Sequence, residues 1–554
     1  QECEKIMKYT GRDEFYEEPL ANQSAMWVDL YELTMSQALY YEGRHNQIAT
    51  FHAFIRETPF NASYLVTAGQ NILLEWLDRN WTFTDRDIAR LSKKTTTDLE
   101  TGEEKPVFGD EFLDMLKKAS LDITIDAMPE GELAFATEPI IRISGPVWQC
   151  LMMEGAVLNI LNSQSLFATY ASILKTIAGD KPVSEFGLRR MQDVGGLSPT
   201  RGAYIGGIDS SSNCWAETVY GIPSIGTMAH AYVMLHDTET QAFADWARHN
   251  PYLGVFLVDT YDSLQGVKRA IETCRDKNIK LSGIRLDSGD LDYLAKQARK
   301  MMDEAGFEEA KIVVSNELDA ETIESLNQQK APIDVYAVGT NLVTAKDQPA
   351  LGGVYKIGNI YERDLSYKDI AVLKESVRSG QIDPGKIRDK VRDLMKLSEN
   401  PDKMTYPGEI DLIRHLEGND DNLKMTSGTL YPEWAPDPLE PGTDKGYFSS
   451  RLSRDILSVR QDNHIVSKKF EKGARAYRPL RRMMERGRLS VDVETVHEAR
   501  KRALSRLGML DQSHRRLKNP HAFTIGVEEG LLQRKEAMGR RLAISGNTVD
   551  ANKA

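Results

Sequence analysis

The 554 residues include 70 Lys and Arg against 82 Asp and Glu, a formal net charge of −12, which excludes a broad electrostatic footprint for nucleic acid or an anionic membrane. At 41% hydrophobic and 27% charged residues the composition is that of a globular chain, and its length exceeds the roughly 250 to 300 residues at which one core stops growing, so two or three domains are expected. An anionic ligand would need a local cationic pocket.

Cys3, Cys150, Cys214 and Cys274 lie far apart without paired spacing, which points to a reduced, cytoplasmic setting rather than a zinc ribbon or disulfide framework. The longest apolar run, Leu151 to Leu174, is interrupted by Glu154, Asn159, Asn162 and Gln164, so no membrane helix is expected. No secretory signal pattern is present, and Gln1 in place of Met points to a fragment or a processed form.

Along the chain, residues 1–27 read as a polar tail. Val28 to Tyr41 reads as a helix with Asp29 as N-cap and Glu32 closing a capping box. Lys93 to Pro106 has no apolar period and reads as a solvated loop. GELAFATEPIIRISGP, within Glu132 to Trp148, alternates short apolar runs with Gly and Pro, the pattern of antiparallel strands. Residues 28–150 are therefore expected to form an α+β domain.

From the helix at 151–174 onward, β-rich runs alternate with amphipathic stretches such as Leu264 to Lys277 and Leu291 to Ala305. Strand ends fall near Gly187, Ile208, Thr227, Asp259, Leu286, Ser315, Gly339 and Ile357. About eight strands in series favour an α/β fold of irregular TIM-like (β/α) barrel type over 151–408, with an insertion near 362–392. Residues 409–554 are expected to pack on the N-terminal domain. In that tail Arg475, Arg478, Arg481, Arg482, Arg486 and Arg488 read as the solvated face of a helix or, less simply, an anion patch.

The unusual polar residues follow directly after the expected barrel strands, where the active sites of such barrels lie. They are Arg189 and Arg190, Asp209 with Ser210 to Ser212, His230, Asp259 and Asp262, Arg285 and Asp287, Ser315 and Asn316, and Gly339 with Thr340. Arginines and hydroxyls suit anionic oxygens. The carboxylates of Asp259, Asp262, Asp287 and Asp290 suit a hard divalent ion holding a pyrophosphate. Gly339 and Thr340, after a late strand, are the natural seat for a sugar phosphate.

DLYELTM at 29–35, EFGLRR at 185–190, DSSSN at 209–213, GTMAH at 226–230, VDTYDS at 258–263, GIRLDSGDL at 283–291, VGTNLVT at 338–344 and KLSENPDKMTYPG at 396–408 together resemble the nicotinate phosphoribosyltransferase family. The resemblance runs from about Asn22 to about Pro438, and NPHAFTIGVEEGLL at 519–532 resembles the family's C-terminal end. It implies that nicotinate and phosphoribosyl pyrophosphate are joined in NAD salvage, the Preiss-Handler route, with Mg2+ and with ATP as co-substrate. His230 would be the phosphohistidine, with Asp259 or Asp287 holding its other ring nitrogen; the plainer reading of His230 is a capping or core residue. The resemblance also implies that Phe186 and Tyr31 stack on the pyridine ring, Tyr31 from a neighbouring subunit of a homodimer, although position alone would make Tyr31 a core residue. Arg285 and Thr227 would hold the nicotinate carboxylate, while Arg189, Ser288, Gly339 and Thr340 would meet phosphoribosyl pyrophosphate. Enzymes for nicotinamide or quinolinate, and a non-catalytic binding barrel, are the rival readings.

Overall fold

In the computed structural model the described residues are 18–387, 389–396, 405–419, 422–433, 439–441, 448–450, 456–459, 465–468 and 475–545. Most of the expected tail at 1–27, and the middle of the KLSENPDKMTYPG string, lie outside them. The chain forms two compact units, one of residues 1–163, 351–516 and 520–554, the other of 164–350 and 517–519. The sheet-bearing second unit is thus narrower than the expected range 151–408. No helix among the described residues is long and apolar enough to cross a membrane.

In the first unit the run IATFHAFI forms the strand Ile48–Ile55, almost wholly buried along its length. It pairs antiparallel with Ile141–Pro146 on one side and Gly353–Tyr361 on the other. Leu133–Ala134 pairs antiparallel with Leu65–Val66, so the Gly- and Pro-punctuated stretch does form antiparallel strands. Gly353–Tyr361 includes the segment expected to be the last barrel strand, and its antiparallel pairing removes it from any parallel ring. Lys93 to Pro106 is exposed as expected, but its threonine run supports a short hairpin, Thr95–Thr97 with Glu104–Pro106.

The stretch read as an insertion near 362–392 contains a helix that packs into the first unit. A capping box from Ser366 and Asp369 starts the helix Tyr367–Arg378, whose Ile370 and Val377 join a buried cluster with Ile48, Tyr361 and Ile387. Its charged side chains reach inward too, Lys374 to Glu409 and Arg378 to Glu433. Of the arginines read as a helical face, Arg475, Arg481, Arg482 and Arg488 fall on the strands Arg475–Tyr477, Arg481–Glu485 and Arg488–Leu489, and Arg478 and Arg486 lie between those strands, so the helical spacing was misleading. Arg482 pairs with Asp126 at 2.7 Å and Arg486 with Asp122 at 3.0 Å, so part of the run is spent on structural ion pairs.

Arg414 and Glu138 form a fully buried two-point ion pair at 2.6 and 2.8 Å. The guanidinium also lies 4.7 Å from the ring centre of Phe135, which stacks on Phe523 of the NPHAFTIGV segment. Removing one partner leaves a buried charge uncompensated, so Glu138→Ala is expected to cost about 3 to 5 kcal/mol. Thermal unfolding of the variant checks this; an unchanged midpoint would show the pair to be dispensable.

The second unit contains a six-stranded sheet of Val183–Glu185 (β1), Ser210–Ser211 (β2), Val255–Leu257 (β3), Gly283–Leu286 (β4), Lys311–Val314 (β5) and Val335–Val338 (β6). All its pairings are parallel, in the order β3-β4-β5-β6-β1-β2, and a parallel bridge from Ser211 to Ser224 extends it beyond β2. Among the described residues no ladder closes this sheet into a ring. The strand expected at Tyr204 to Ile208 does not form: Leu197–Ile205 is a helix, and the short strand follows it. Crossover helices Ser263–Lys277 and Leu291–Glu304 fall where the apolar periodicity places them.

Candidate functional site

Aspartates cap the crossover helices Ser263–Lys277 and Leu291–Glu304: Asp262 accepts from the Gln265 N–H at 2.8 Å and Asp290 from the Tyr293 N–H at 3.1 Å. Two of the four carboxylates expected around a cation are therefore engaged as caps. Among the described residues no group of three or more His, Cys, Asp or Glu side chains is placed to hold a metal. Asp209 is also displaced from the expected rim. It accepts from the Val183 N–H at the start of β1 and pairs with Lys175 at 3.0 Å, at the opposite end of the strand from Phe186.

What remains at the carboxyl-terminal rim is one connected network. Arg285, on β4, donates from Nε to Ser315 Oγ at 2.9 Å, from Nη1 to Thr227 Oγ1 at 3.1 Å and from Nη2 to Asp287 Oδ1 at 2.8 Å. Ser315 Oγ also donates to Asp287 Oδ1. The guanidinium carbon lies 5.5 Å from the centre of the Phe186 ring, within cation–π range. Asp287 is half-buried; burial pushes its carboxyl up, but the Ser315 hydroxyl, the Arg285 charge and His230 together hold it below the ordinary range.

Asp259 is the second carboxylate of the network. Its Oδ2 accepts from the Asp287 N–H at 2.9 Å and from Ser288 Oγ at 2.6 Å. Its Oδ1 is buried and has no hydrogen-bond partner among the described residues. His230 begins the short helix His230–Met234. The imidazole Nε2 lies 3.6 Å from Asp287 Oδ2 and 3.9 Å from Asp259 Oδ1, while Nδ1 is 3.1 Å from Thr260 Oγ1. Both carboxylates thus approach one ring nitrogen and a neutral hydroxyl holds the other. With its side chain 41% exposed, His230 is no core histidine.

Gly339 follows β6 beside Phe186, whose N–H donates to Val338 O at 2.8 Å, and Thr340 opens the next turn. Arg189 is exposed on the turn Leu188–Arg190. The structure therefore gathers Phe186, Thr227, His230, Asp259, Arg285, Asp287 and Ser288 through direct contacts, with Gly339 beside Phe186; among the described residues no hydrogen bond or ion pair joins Arg189 or Thr340 to that network. Ser315, singled out in the sequence because it directly follows its strand, is a partner of Arg285 and Asp287, whereas Thr260, within VDTYDS, is a partner of His230 that the sequence did not single out.

Tyr31 lies in the first unit, 46% exposed on the helix Leu30–Tyr41, so it is not the core residue that its position suggested. Burial, with the charges of Glu154, Glu32 and Asp29, pushes its phenol up to about 12. Asp29 has the extended backbone of an N-cap but makes no side-chain cap bond, and the expected capping box is absent. Glu32 instead turns inward, accepting the Gly155 N–H at 2.9 Å through Oε1. Its Oε2 is buried without a hydrogen-bond partner among the described residues.

Burial raises the Glu32 carboxyl from 4.5 to about 7, opposed by the N–H bonds from Gly155 and Asp29. Because the folded value lies above the unfolded one, its stabilising contribution is complete below about 4.5 and is lost as pH rises through about 7. Glu32→Gln keeps the Gly155 acceptor without the charge. Its melting temperature is expected to match the wild type near pH 4.5 and to exceed it above pH 7; a difference independent of pH would contradict the assignment.

The sequence comparisons name nicotinate phosphoribosyltransferases, and the similar solved structures also include a nicotinate-nucleotide pyrophosphorylase of Pyrococcus furiosus, with a TM-score of 0.60 at 19% identity over 90% of this chain and 99% of that one. The residue pattern of the nicotinate phosphoribosyltransferase (NAPRTase) N-terminal domain matches residues 26–162, and that of its C-terminal domain matches residues 455–535. A nicotinate phosphoribosyltransferase of Bacillus subtilis is 33% identical over 91% of this chain and 93% of its own length. One from Homo sapiens is 29% identical over 93% of this chain and 97% of its own. In three dimensions, the crystal structure of human nicotinic acid phosphoribosyltransferase superposes with a TM-score of 0.71 at 24% identity, covering 92% of this chain and 99% of that one.

Proposed function

The chain belongs to the nicotinate phosphoribosyltransferase family, and from that premise we propose that it joins nicotinate to the anomeric carbon of phosphoribosyl pyrophosphate, releasing pyrophosphate, in NAD biosynthesis. The observation that carries this reading is the clamped guanidinium. Arg285 has five N–H donors, and Ser315, Thr227 and Asp287 take one each from Nε, Nη1 and Nη2. One N–H is left on each Nη, a fork matched to a single carboxylate, above the face of an aromatic ring. In this reading nicotinate lays its ring on Phe186 and its carboxylate on Arg285, with Thr227 alongside. The pyridine nitrogen is already nucleophilic, so positioning supplies most of the acceleration.

The same reading gives His230 the role of phosphoryl acceptor from ATP. The two carboxylates favour a proton on Nε2, which leaves the lone pair on Nδ1, away from negative charge. A carboxylate on the far nitrogen raises the basicity of the reacting one. Phosphoribosyl pyrophosphate would lie along Ser288, Gly339, Thr340 and Arg189. Asp287 Oδ2 and the unpartnered Asp259 Oδ1 are suitable donors for Mg2+, which binds through one or two carboxylates and substrate phosphates and would neutralise pyrophosphate charge.

The sheet order, continued by Ser224, follows successive βα units in turn, which supports reading the second unit as most of an irregular (β/α) barrel. The proposal includes a cytoplasmic homodimer in which a second copy contributes Tyr31 and the salvage, Preiss-Handler place in metabolism. Mixing a Tyr31→Ala chain with an Arg285→Ala chain tests the dimer: partial recovery of activity supports a shared pocket, and none removes it. The function itself is tested by incubating the purified chain with phosphoribosyl pyrophosphate, Mg2+, ATP and either nicotinate or nicotinamide, then identifying the product by NMR. Nicotinate mononucleotide is the expected product; turnover of nicotinamide alone would overturn the assignment.

A further inference from the structure

The side chain directly before Phe186 is a carboxylate buried to 0% exposure, and none of the side chains bonded to it carries a positive charge. Glu185 Oε1 accepts from the N–H of Gly187, two residues on. Its Oε2 accepts from Thr200 Oγ1 at 2.8 Å and Ser211 Oγ at 2.6 Å. Those hydroxyls belong to the next helix and to β2, and Asn213 ties them together by donating from its backbone to Ser211 Oγ at 2.9 Å and from its amide to Thr200 Oγ1 at 3.3 Å. Burial pushes the carboxyl up, against the bonds from Ser211, Gly187 and Thr200. A buried carboxylate is costly unless its acceptor sites are filled, and here neutral donors fill them.

The turn so clasped has little room to relax. A side chain on Gly187 would collide with both Val343 methyl groups, in the short helix that follows Gly339. On the β6 side the Phe186 N–H is fixed to Val338 O, and on the β2 side Glu185 O accepts from the Ser212 N–H, each at 2.8 Å. Phe186 is therefore pinned between a backbone bond behind and the Glu185 clasp ahead.

We propose that Glu185 is a positioning residue that, by bonding the Gly187 N–H to the Thr200 and Ser211 hydroxyls, fixes the Phe186 ring beneath the Arg285 guanidinium and so sets affinity for the pyridine substrate. This rests on the nicotinate reading above. The clasp needs hydrogen bonds on both sides, not charge: a glutamine can accept from Gly187 through its carbonyl while its amide donates to the hydroxyls, which rotate to accept.

Glu185→Ala is expected to raise the nicotinate KM about tenfold while kcat at saturating nicotinate stays within about threefold, the pattern of lost binding rather than lost chemistry. Glu185→Gln is expected to restore KM to within about threefold of the wild type. An unchanged KM in the alanine variant overturns the proposal, and so does a glutamine variant as impaired as alanine. Should the alanine variant fail to fold, Thr200→Val and Ser211→Ala each remove one donor from the intact carboxylate; a wild-type KM in both overturns it equally. If the wild-type chain turns over no nicotinate, the functional reading fails, and the clasp is judged by hydrogen exchange at the Gly187 amide. Faster exchange in Glu185→Ala with wild-type exchange in Glu185→Gln supports it; unchanged exchange in Glu185→Ala overturns it.

Discussion

Replacing Arg285 with alanine is expected to lower kcat/KM for nicotinate by about 10²- to 10³-fold, because a charge-assisted pair of hydrogen bonds to a carboxylate is worth about 3 to 4 kcal/mol in a half-buried site. The loss has a second source. Asp287 would lose both the Arg285 charge and the Arg285 hydrogen bond that help hold its carboxyl low, leaving burial less opposed and weakening its hold on His230. Arg285→Lys separates these sources: lysine keeps the positive charge beside Asp287 but cannot span Ser315, Thr227 and a ligand carboxylate together. Most of the nicotinate affinity should therefore still be lost in the lysine variant. Steady-state kinetics alongside thermal melts check this, and a lysine variant equal to the wild type would show that charge alone suffices.

Replacing His230 with alanine is expected to abolish acid-labile phosphoprotein formation from ATP while leaving folding and affinity for the pyridine intact. The side chain is 41% exposed, and its polar neighbours are Thr260, Asp259 and Asp287. Labelling with radioactive γ-phosphate reads the outcome. Label persisting in the variant would remove His230 from the phosphoryl pathway, and loss of nicotinate binding would show that the imidazole shapes the pyridine site itself.

The parts of this arrangement legible in the sequence were those written by short-range rules. The helices Ser263–Lys277 and Leu291–Glu304 announced themselves as periodic apolar runs, although Asp262 and Asp290 before them suggested cation ligands and not caps, and strands β3 to β6 as short apolar runs ending in polar residues. Side-chain direction was not legible. Asp209 looked like a rim residue because Tyr204 to Ile208 resembles a strand, yet that segment completes a helix and Asp209 opens β2. Glu32 fitted a capping box by spacing, but a distant backbone N–H at Gly155 claims its carboxylate. The Arg475 to Arg488 run suited a helix and formed strands and turns, in which Arg482 finds the carboxylate of Asp126 and Arg486 that of Asp122. In each case a contact remote in sequence outweighed the local preference.

The central claim is that the rim beyond β1, β4 and β5 is where the pyridine acid binds. A crystal structure of the chain with nicotinate tests it most directly. The ring is expected to lie flat against Phe186, with carboxylate oxygens about 2.7 to 3.1 Å from the two remaining Nη donors of Arg285. Density for the ligand away from Arg285, with Phe186 uncovered, would contradict it.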